Sequence, residues 1–441
     1  MTDLPAGPRG GVFAALGVLR DPYGALARYA KAHGNPFTLS LPPQGTIVVT
    51  ADPAAIRSVF AADPETFGSS ATKAMGPILG PGSVLILEGA AHRRARKLLN
   101  PPFHGDRMRA HGRLIQDITR ERIARLQPGD RVSAQDLAQA ISLEMILQAI
   151  FGVRGTERLA RFDRAVRDLM ATLGPFVAFE LFRRSWGGLG PWDRFLRRRA
   201  ELAALVAEEV AARRAGGPAR EDILSLLLAA RDEDGKPMSD AEIFDELLTL
   251  VAAGHETTMI AIAWALYWLH RTPAALARLR EELDGVPPDP DPDALARLPY
   301  LDAVLAETLR LYPVVPLVTR KLARSFEIKG HALPAGVTVG LATSLVHYDP
   351  ALYPEPQRFR PERFQERTLG PAEYFPFGGG TRRCLGAAFA LYEIKIALAT
   401  LLSALRLRPR DDRAVRPAMR AAGVGQARAV ELVVTARADR A

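Results

Sequence analysis

Apolar residues crowd one stretch of this chain on every face. Between Ser239 and Arg271, Leu247, Leu248, Leu250, Val251, Met259, Ile260, Ile262, Trp264 and Leu266 leave no continuous polar stripe. The spacing predicts one helix, well beyond average length. Ser239 starts it, and Glu242 completes a capping box. A helix apolar nearly all round belongs in the middle of a large domain.

The rest of the pattern is arranged before and after that helix. Asp21 to His33 reads as a short helix, and Pro36–Leu41 and Thr46–Thr50 as two strands around a Pro-Pro-Gln-Gly turn. Asp52-Pro53 opens another helix, with Asp as cap and Pro in its first turn. Phe67 to Gly89 mixes glycine and proline with apolar residues and reads as irregular. A loop with so much apolar surface covers something. From Arg107 to about Gly216 the period is almost entirely helical. Within it, the apolar run Leu169–Phe182, broken by Gly174-Pro175, reads as a kinked core helix. A charged turn, Arg231 to Lys236, precedes the central helix. After it come a helix from Leu298 to Leu311, short strands between Leu317 and Leu341, and a proline-rich meander from Asp349 to Phe364. No linker or repeat interrupts the chain, so the expectation is one domain over residues 1–441, mainly α with a small β portion. Length alone would suggest about two to four domains.

Composition removes several classes. With 48% hydrophobic and 24% charged residues the chain is ordinary globular protein. A single cysteine excludes a disulfide framework, a cysteine-rich zinc site and a fused iron–sulfur domain. The net charge of +9 is carried mostly by arginines scattered along amphipathic helices. Without a basic tail or a basic–aromatic ribbon, nucleic acid is not expected. Gly11 to Leu19 is too short to span a bilayer and follows no cationic segment, so neither a stable membrane anchor nor export is expected. The expected compartment is the cytoplasm.

The lone cysteine sits in Phe377-Gly378-Gly379-Gly380-Thr381-Arg382-Arg383-Cys384-Leu385-Gly386. Ala387, Phe389, Ala390, Leu391, Ile394, Ala397, Leu398 and Leu401 then recur at helical spacing, so a helix starts at or just after Cys384. The helix dipole and the two arginines favour thiolate over thiol, and the glycines let the backbone pass close to something flat. Most lone cysteines are small buried hydrophobes, but a glycine-rich loop between arginines is an odd place for one. A P-loop would need Lys-Ser/Thr where Arg383-Cys384 stands. A dinucleotide fingerprint would need glycine at Arg383, and a cysteine phosphatase would need arginine at Ala390. What remains is a thiolate presented to a metal centre.

Phe377, Gly380, Arg382, Cys384 and Gly386 match the Phe-x-x-Gly-x-Arg-x-Cys-x-Gly haem-ligand motif, and the chain thereby resembles the cytochrome P-450 superfamily. Further segments follow the family's order. Ala253-Gly254-His255-Glu256-Thr257-Thr258 is similar to its Ala-Gly-x-Asp/Glu-Thr-Thr motif, Glu307-Thr308-Leu309-Arg310 to its Glu-x-x-Arg pair, and Pro361-Glu362-Arg363-Phe364 to the segment supplying a second arginine. The implied fold is a single-domain cytochrome P-450, with the long central helix over a haem held by the cysteine-bearing loop.

The resemblance also implies roles. Cys384 is the axial iron ligand, with Phe377, Gly378, Gly386 and Ala253 against haem b. His92, Arg96, Arg320 and Arg382 reach its propionates. Thr257 holds dioxygen and water, and Glu256 relays protons. Glu307, Arg310 and Arg363 form a buried structural lock. Ile78, Leu79, Val84, Leu85, Phe176, Phe179, Val315, Leu317 and Val424 line an apolar substrate pocket, roofed by the 67–89 stretch, and the resemblance makes Leu169–Phe182 a mobile lid over it rather than a kinked core helix. The activity implied is a haem-thiolate monooxygenase, hydroxylating or epoxidising a fatty acid, terpenoid or polyketide. It would be monomeric and take NAD(P)H electrons indirectly, through a ferredoxin or flavodoxin and its reductase. Arg93, Arg94, Lys97 and Arg383 are expected to form the docking patch for that donor. The alternatives are a haem-thiolate isomerase or dehydratase that does not use dioxygen, and a non-enzymatic haem sensor.

Overall fold

A computed structural model describes residues 4–41, 45–103, 105–153, 155–173, 180–216, 220, 222–420 and 423–438. Contacts gather the chain into two compact units. The first comprises Met1–Gly68, Met108–Ser142 and Glu256–Ala441; the second comprises Ser69–Arg107 and Leu143–His255.

In the first unit a five-stranded sheet runs, in spatial order, Phe37–Leu41, Gly45–Thr50, Thr338–Leu341, Val318–Leu322 and Phe67–Gly68. Gly45–Thr50 and Thr338–Leu341 pair in parallel, and the other neighbours are antiparallel. Val48, Val318, Val339 and Leu341 pack on the helix Pro53–Ala61 through Ile56 and Val59. The carboxylate of Asp52 accepts the Ala55 amide at 2.9 Å, the cap that Asp-Pro foretells. A second sheet joins Arg131–Ser133, Glu431–Arg437 and Leu405–Pro409. The strand at Arg131 interrupts a region whose period reads as helix alone. The helix Pro299–Leu311 and the irregular meander lie where their patterns put them.

The second unit holds the helices Gly89–Leu99, Thr156–Ala171 and Pro191–Arg214. It also holds a helix that the sequence hides, Thr72–Leu79, inside the stretch read as irregular. Gly76 and Pro77 sit within it and mask its period. The central helix spans Asp240–Arg271. The Ser239 amide donates to Glu242 at 2.7 Å and the Glu242 amide to Ser239 Oγ at 3.2 Å, so both arms of the capping box are made. This helix and Ala387–Ala404 are long and apolar enough to cross a bilayer, yet most of each is buried inside the protein, as core helices are.

Candidate active site

Cys384 is exposed at the end of a tightly folded loop. Its amide donates to Phe377 O at 2.9 Å, closing the segment on itself, and a single 3-10 turn, Gly380–Arg382, fills the interior. Gly378 and Gly380 have φ of 67° and 65°, conformations that favour glycine. A Cβ on Gly379 would lie 2.6 Å from the Phe60 ring, and one on Gly380 2.8 Å from Phe60 O. The loop therefore rests on the end of the Pro53–Ala61 helix. The following helix begins at Ala387 with Gly386 as its N-cap residue.

Beside this loop lies a charge imbalance. Arg320 is buried, donates to Gly379 O at 3.1 Å and to Thr319 O at 2.9 Å, and has no carboxylate partner among the described residues. Burial, reinforced by the Arg382 guanidinium, pulls its pKa down to about 10. A buried guanidinium without a carboxylate calls for an anionic group. A Cβ at Gly386 would meet nothing within 4 Å, leaving the backbone there open to a flat group. A thiol, two neighbouring guanidiniums and an unobstructed glycine fit an iron porphyrin with carboxylate side chains.

The proposed lock is assembled in full. Arg310 donates through Nε and Nη2 to Glu307 at 2.6 and 2.8 Å, and Arg363 Nε reaches the same carboxylate at 3.0 Å. The Arg360 amide adds a fourth bond at 2.9 Å. Four further guanidinium hydrogen bonds go to the carbonyls of His347, Arg358 and Pro354. All three side chains are buried.

The central helix carries a notch. Its flanks are buried, yet Ala253 is exposed, and Ala252, Gly254, Glu256 and Thr257 are half-buried. A Cβ at Gly254 would meet Ile146 at 2.9 Å, so helix packing alone accounts for that glycine. His255 is buried, its Nδ1 on Val251 O at 2.8 Å, and burial lowers its pKa; its ring is engaged with its own helix.

His92 is buried and Arg96 half-buried, one turn apart on Gly89–Leu99. Two members of the docking patch expected here, Arg94 and Lys97, are held by acidic groups of the protein itself. Arg94 is held by Asp232 at 2.6 Å, Glu242 at 2.9 Å and Pro237 O at 3.1 Å, and Lys97 pairs with Glu233. The acidic turn and the capping box thus pair Arg94 and Lys97 within the chain. Among the expected pocket residues Ile78, Leu79, Val84 and Val424 are buried, Leu317 half-buried, and Leu85 and Val315 exposed. Leu79 and Val424 are enclosed by protein, and the Val424 amide donates to Val314 O at 2.8 Å. Phe176, Phe179 and the Gly174-Pro175 break lie outside the described residues. Sequence reasoning missed Asp245 and Glu246, buried on the central helix; two consecutive acids in an apolar run were the available signal.

The family model for cytochrome P450 matches residues 5–429, across both units. The chain belongs to the cytochrome P450 family. "Putative cytochrome P450 135B1" of Mycobacterium tuberculosis is 38% identical over 423 residues, covering 95% of this chain and 88% of its own. "Putative cytochrome P450 138" of the same organism is 34% identical over 403 residues, covering 90% and 89%. Among solved structures, the retinoic acid-bound cyanobacterial CYP120A1 superimposes with TM-score 0.86 at 25% identity, covering 99% of this chain and all of that one. The cytochrome P450DA heme domain gives 0.85 at 25% identity, covering 98% and 97%. The fold is the P450 fold. As a P450 the protein is a haem-thiolate oxidoreductase of the monooxygenase class, with haem b iron as cofactor, dioxygen as co-substrate and electrons from redox partners.

Proposed function

We propose that this P450 inserts oxygen into an apolar, elongated small molecule of the fatty-acid or isoprenoid-acid class, fed by a separate ferredoxin or flavodoxin and its reductase in the cytoplasm. The observation that carries the reading is the notch at Ala253–Thr257, where a buried helix turns a small apolar surface and two polar side chains outward. Exposed Leu85 and Val315 support an apolar ligand, and the CYP120A1 relative holds retinoic acid, an apolar chain ending in a carboxylate.

In this proposal Cys384 would supply the thiolate that holds the haem, Phe377, Gly378, Gly386 and Ala253 would help to bind it, and Arg320, Arg382, His92 and Arg96 would neutralise its carboxylates. The bound haem supplies oxygen activation, which a thiolate ligand favours. The chain's own residues do the rest. Thr257 Oγ1 both accepts and donates, so it holds a water while passing a proton inward. Glu256, half-buried, draws that proton from solvent and reloads the hydroxyl. The Glu307 lock holds the meander through Arg363 and the Arg360 amide.

A Soret spin-state titration against straight-chain fatty acids and isoprenoid acids, followed by turnover with a surrogate ferredoxin system, tests the reading. A low-spin to high-spin shift and hydroxylated product are expected. Thr257→Ala should keep the shift while diverting most electrons to peroxide. Product formed without dioxygen consumption would replace the monooxygenase by an isomerase or dehydratase.

A further inference from the structure

The second unit contains a carboxylate pair that the chemistry above does not use. Asp245 and Glu246 follow one another on the central helix, and Thr249 stands one turn beyond Asp245 on the same face. The chain from Gly80 to Leu85 lies directly upon them. The Gly82 amide donates to Asp245 Oδ2 at 3.0 Å, and Thr249 Oγ1 meets Ser83 Oγ at 2.7 Å. The approach is so close that a Cβ at Gly80 would fall 2.1 Å from the Asp245 carboxylate, and one at Gly82 3.1 Å from the Glu242 backbone. The other oxygen of Asp245 accepts Arg199 Nη2 at 2.7 Å, so one carboxylate ties this segment and the helix Pro191–Arg214 to the same point.

Glu246 completes the contact in a different way. Its side chain is 0% exposed, and neither carboxyl oxygen has a hydrogen-bond partner at normal distance. The Val84 amide is the one group near enough to favour its anion; Asp245 and Glu242 oppose it. The charged neighbours are accounted for. Arg199 is engaged by Asp245, Arg94 from the helix Gly89–Leu99 is engaged by Glu242 and Asp232, and residues 80–85 carry no charge. A carboxyl enclosed in this way keeps its proton, because the anion would be buried without donors.

We propose that Asp245 and Glu246 form a proton-operated latch that seats the Gly80–Leu85 segment on the central helix, closed while Glu246 is protonated and released as it ionises. Burial holds the Glu246 pKa at about 8 when the segment is seated, whereas a solvated glutamate titrates near its ordinary value of about 4.3. Between those values the open form gives up a proton that the closed form keeps, so opening becomes easier as pH rises, by up to about tenfold per pH unit. Residues 67–89 cover the substrate site only if the family-based reading of that stretch holds, and on that reading the latch meters ligand entry.

Hydrogen exchange of the holoenzyme tests the latch without a ligand. After correction for intrinsic chemical rates, the amides of Gly82, Ile86 and Leu87 should lose at least tenfold protection between pH 5 and pH 8. Glu246→Gln should flatten that slope with protection retained. Wild-type protection that ignores pH, or an equal slope in Glu246→Gln, overturns the latch. In parallel, the association rate of 4-phenylimidazole, counted as its neutral form, should rise with pH in wild type and stay level in the variant. A slope in exchange with none in association keeps the latch and overturns the covering role of residues 67–89.

Discussion

Glu307 and Glu246 are both fully buried carboxyls on apolar helices, yet their surroundings differ in kind. Glu307 receives four hydrogen bonds, from Arg310, Arg363 and the Arg360 amide. Glu246 has no partner at normal distance, and its near neighbours are acids. A buried charge with donors on both of its oxygens is a fixed joint, because leaving that state strands ions of both signs. A buried acid without donors stores a proton, and its stability depends on the solution around it. Burial alone does not distinguish the two; the count of donors does.

The strongest disruption lies outside both clusters and sets the scale for them. Cys384→Ser removes the thiolate, and the reduced carbonyl complex should lose its red-shifted Soret band entirely while both acid clusters keep their contacts. Next, Glu307→Ala should destabilise by about 3–5 kcal/mol and yield little haem-loaded protein. That loss should appear at pH 5 and pH 8 alike, read from thermal midpoints and haem content.

Glu246→Gln should move stability the other way. The folded pKa of Glu246 is raised, so its favourable contribution is present at low pH and is lost as pH climbs toward about 8. The glutamine variant escapes that loss. Relative to their difference at pH 5, the variant should gain on wild type by on the order of 4 kcal/mol at pH 8. Equal pH profiles for the two Glu variants would erase the contrast between joint and proton store. The smallest effect belongs to Arg94→Ala. It breaks pairs with Asp232 and Glu242 that are partly exposed, should cost about 1 kcal/mol, and should leave the salt dependence of reduction by a ferredoxin unchanged.

Local chemistry was legible in the sequence wherever the partners are close in the chain. The Ser239–Glu242 box and the Asp52 cap require only helical geometry, and both are made. Glu307 with Arg310 is one helix turn, and the family pattern added Arg363. The failures share a cause. Arg94 and Lys97 look like free surface charge until Asp232, Glu233 and Glu242 are brought opposite them. The helix Thr72–Leu79 was hidden because Gly76 and Pro77 argue for a break, while Ala74, Ile78 and Leu79 bury enough surface to override them. Asp245 and Glu246 gave a signal, but nothing in the sequence names Gly82 and Val84 as the backbone above them.

The seat of the cysteine loop also sets an order of events during synthesis. Gly379 and Gly380 lean on Phe60 at the end of an early helix, while Cys384 lies far downstream of it in the chain. The helix Pro53–Ala61 and its sheet neighbours from the amino-terminal part emerge first, and domains tend to acquire structure in that order. The loop can take its ligand-presenting shape only once Phe60 is there to bear it. Joining the two is a long-range closure and therefore a late one. Prosthetic-group capture should accordingly follow the formation of that early helix and its sheet rather than precede it.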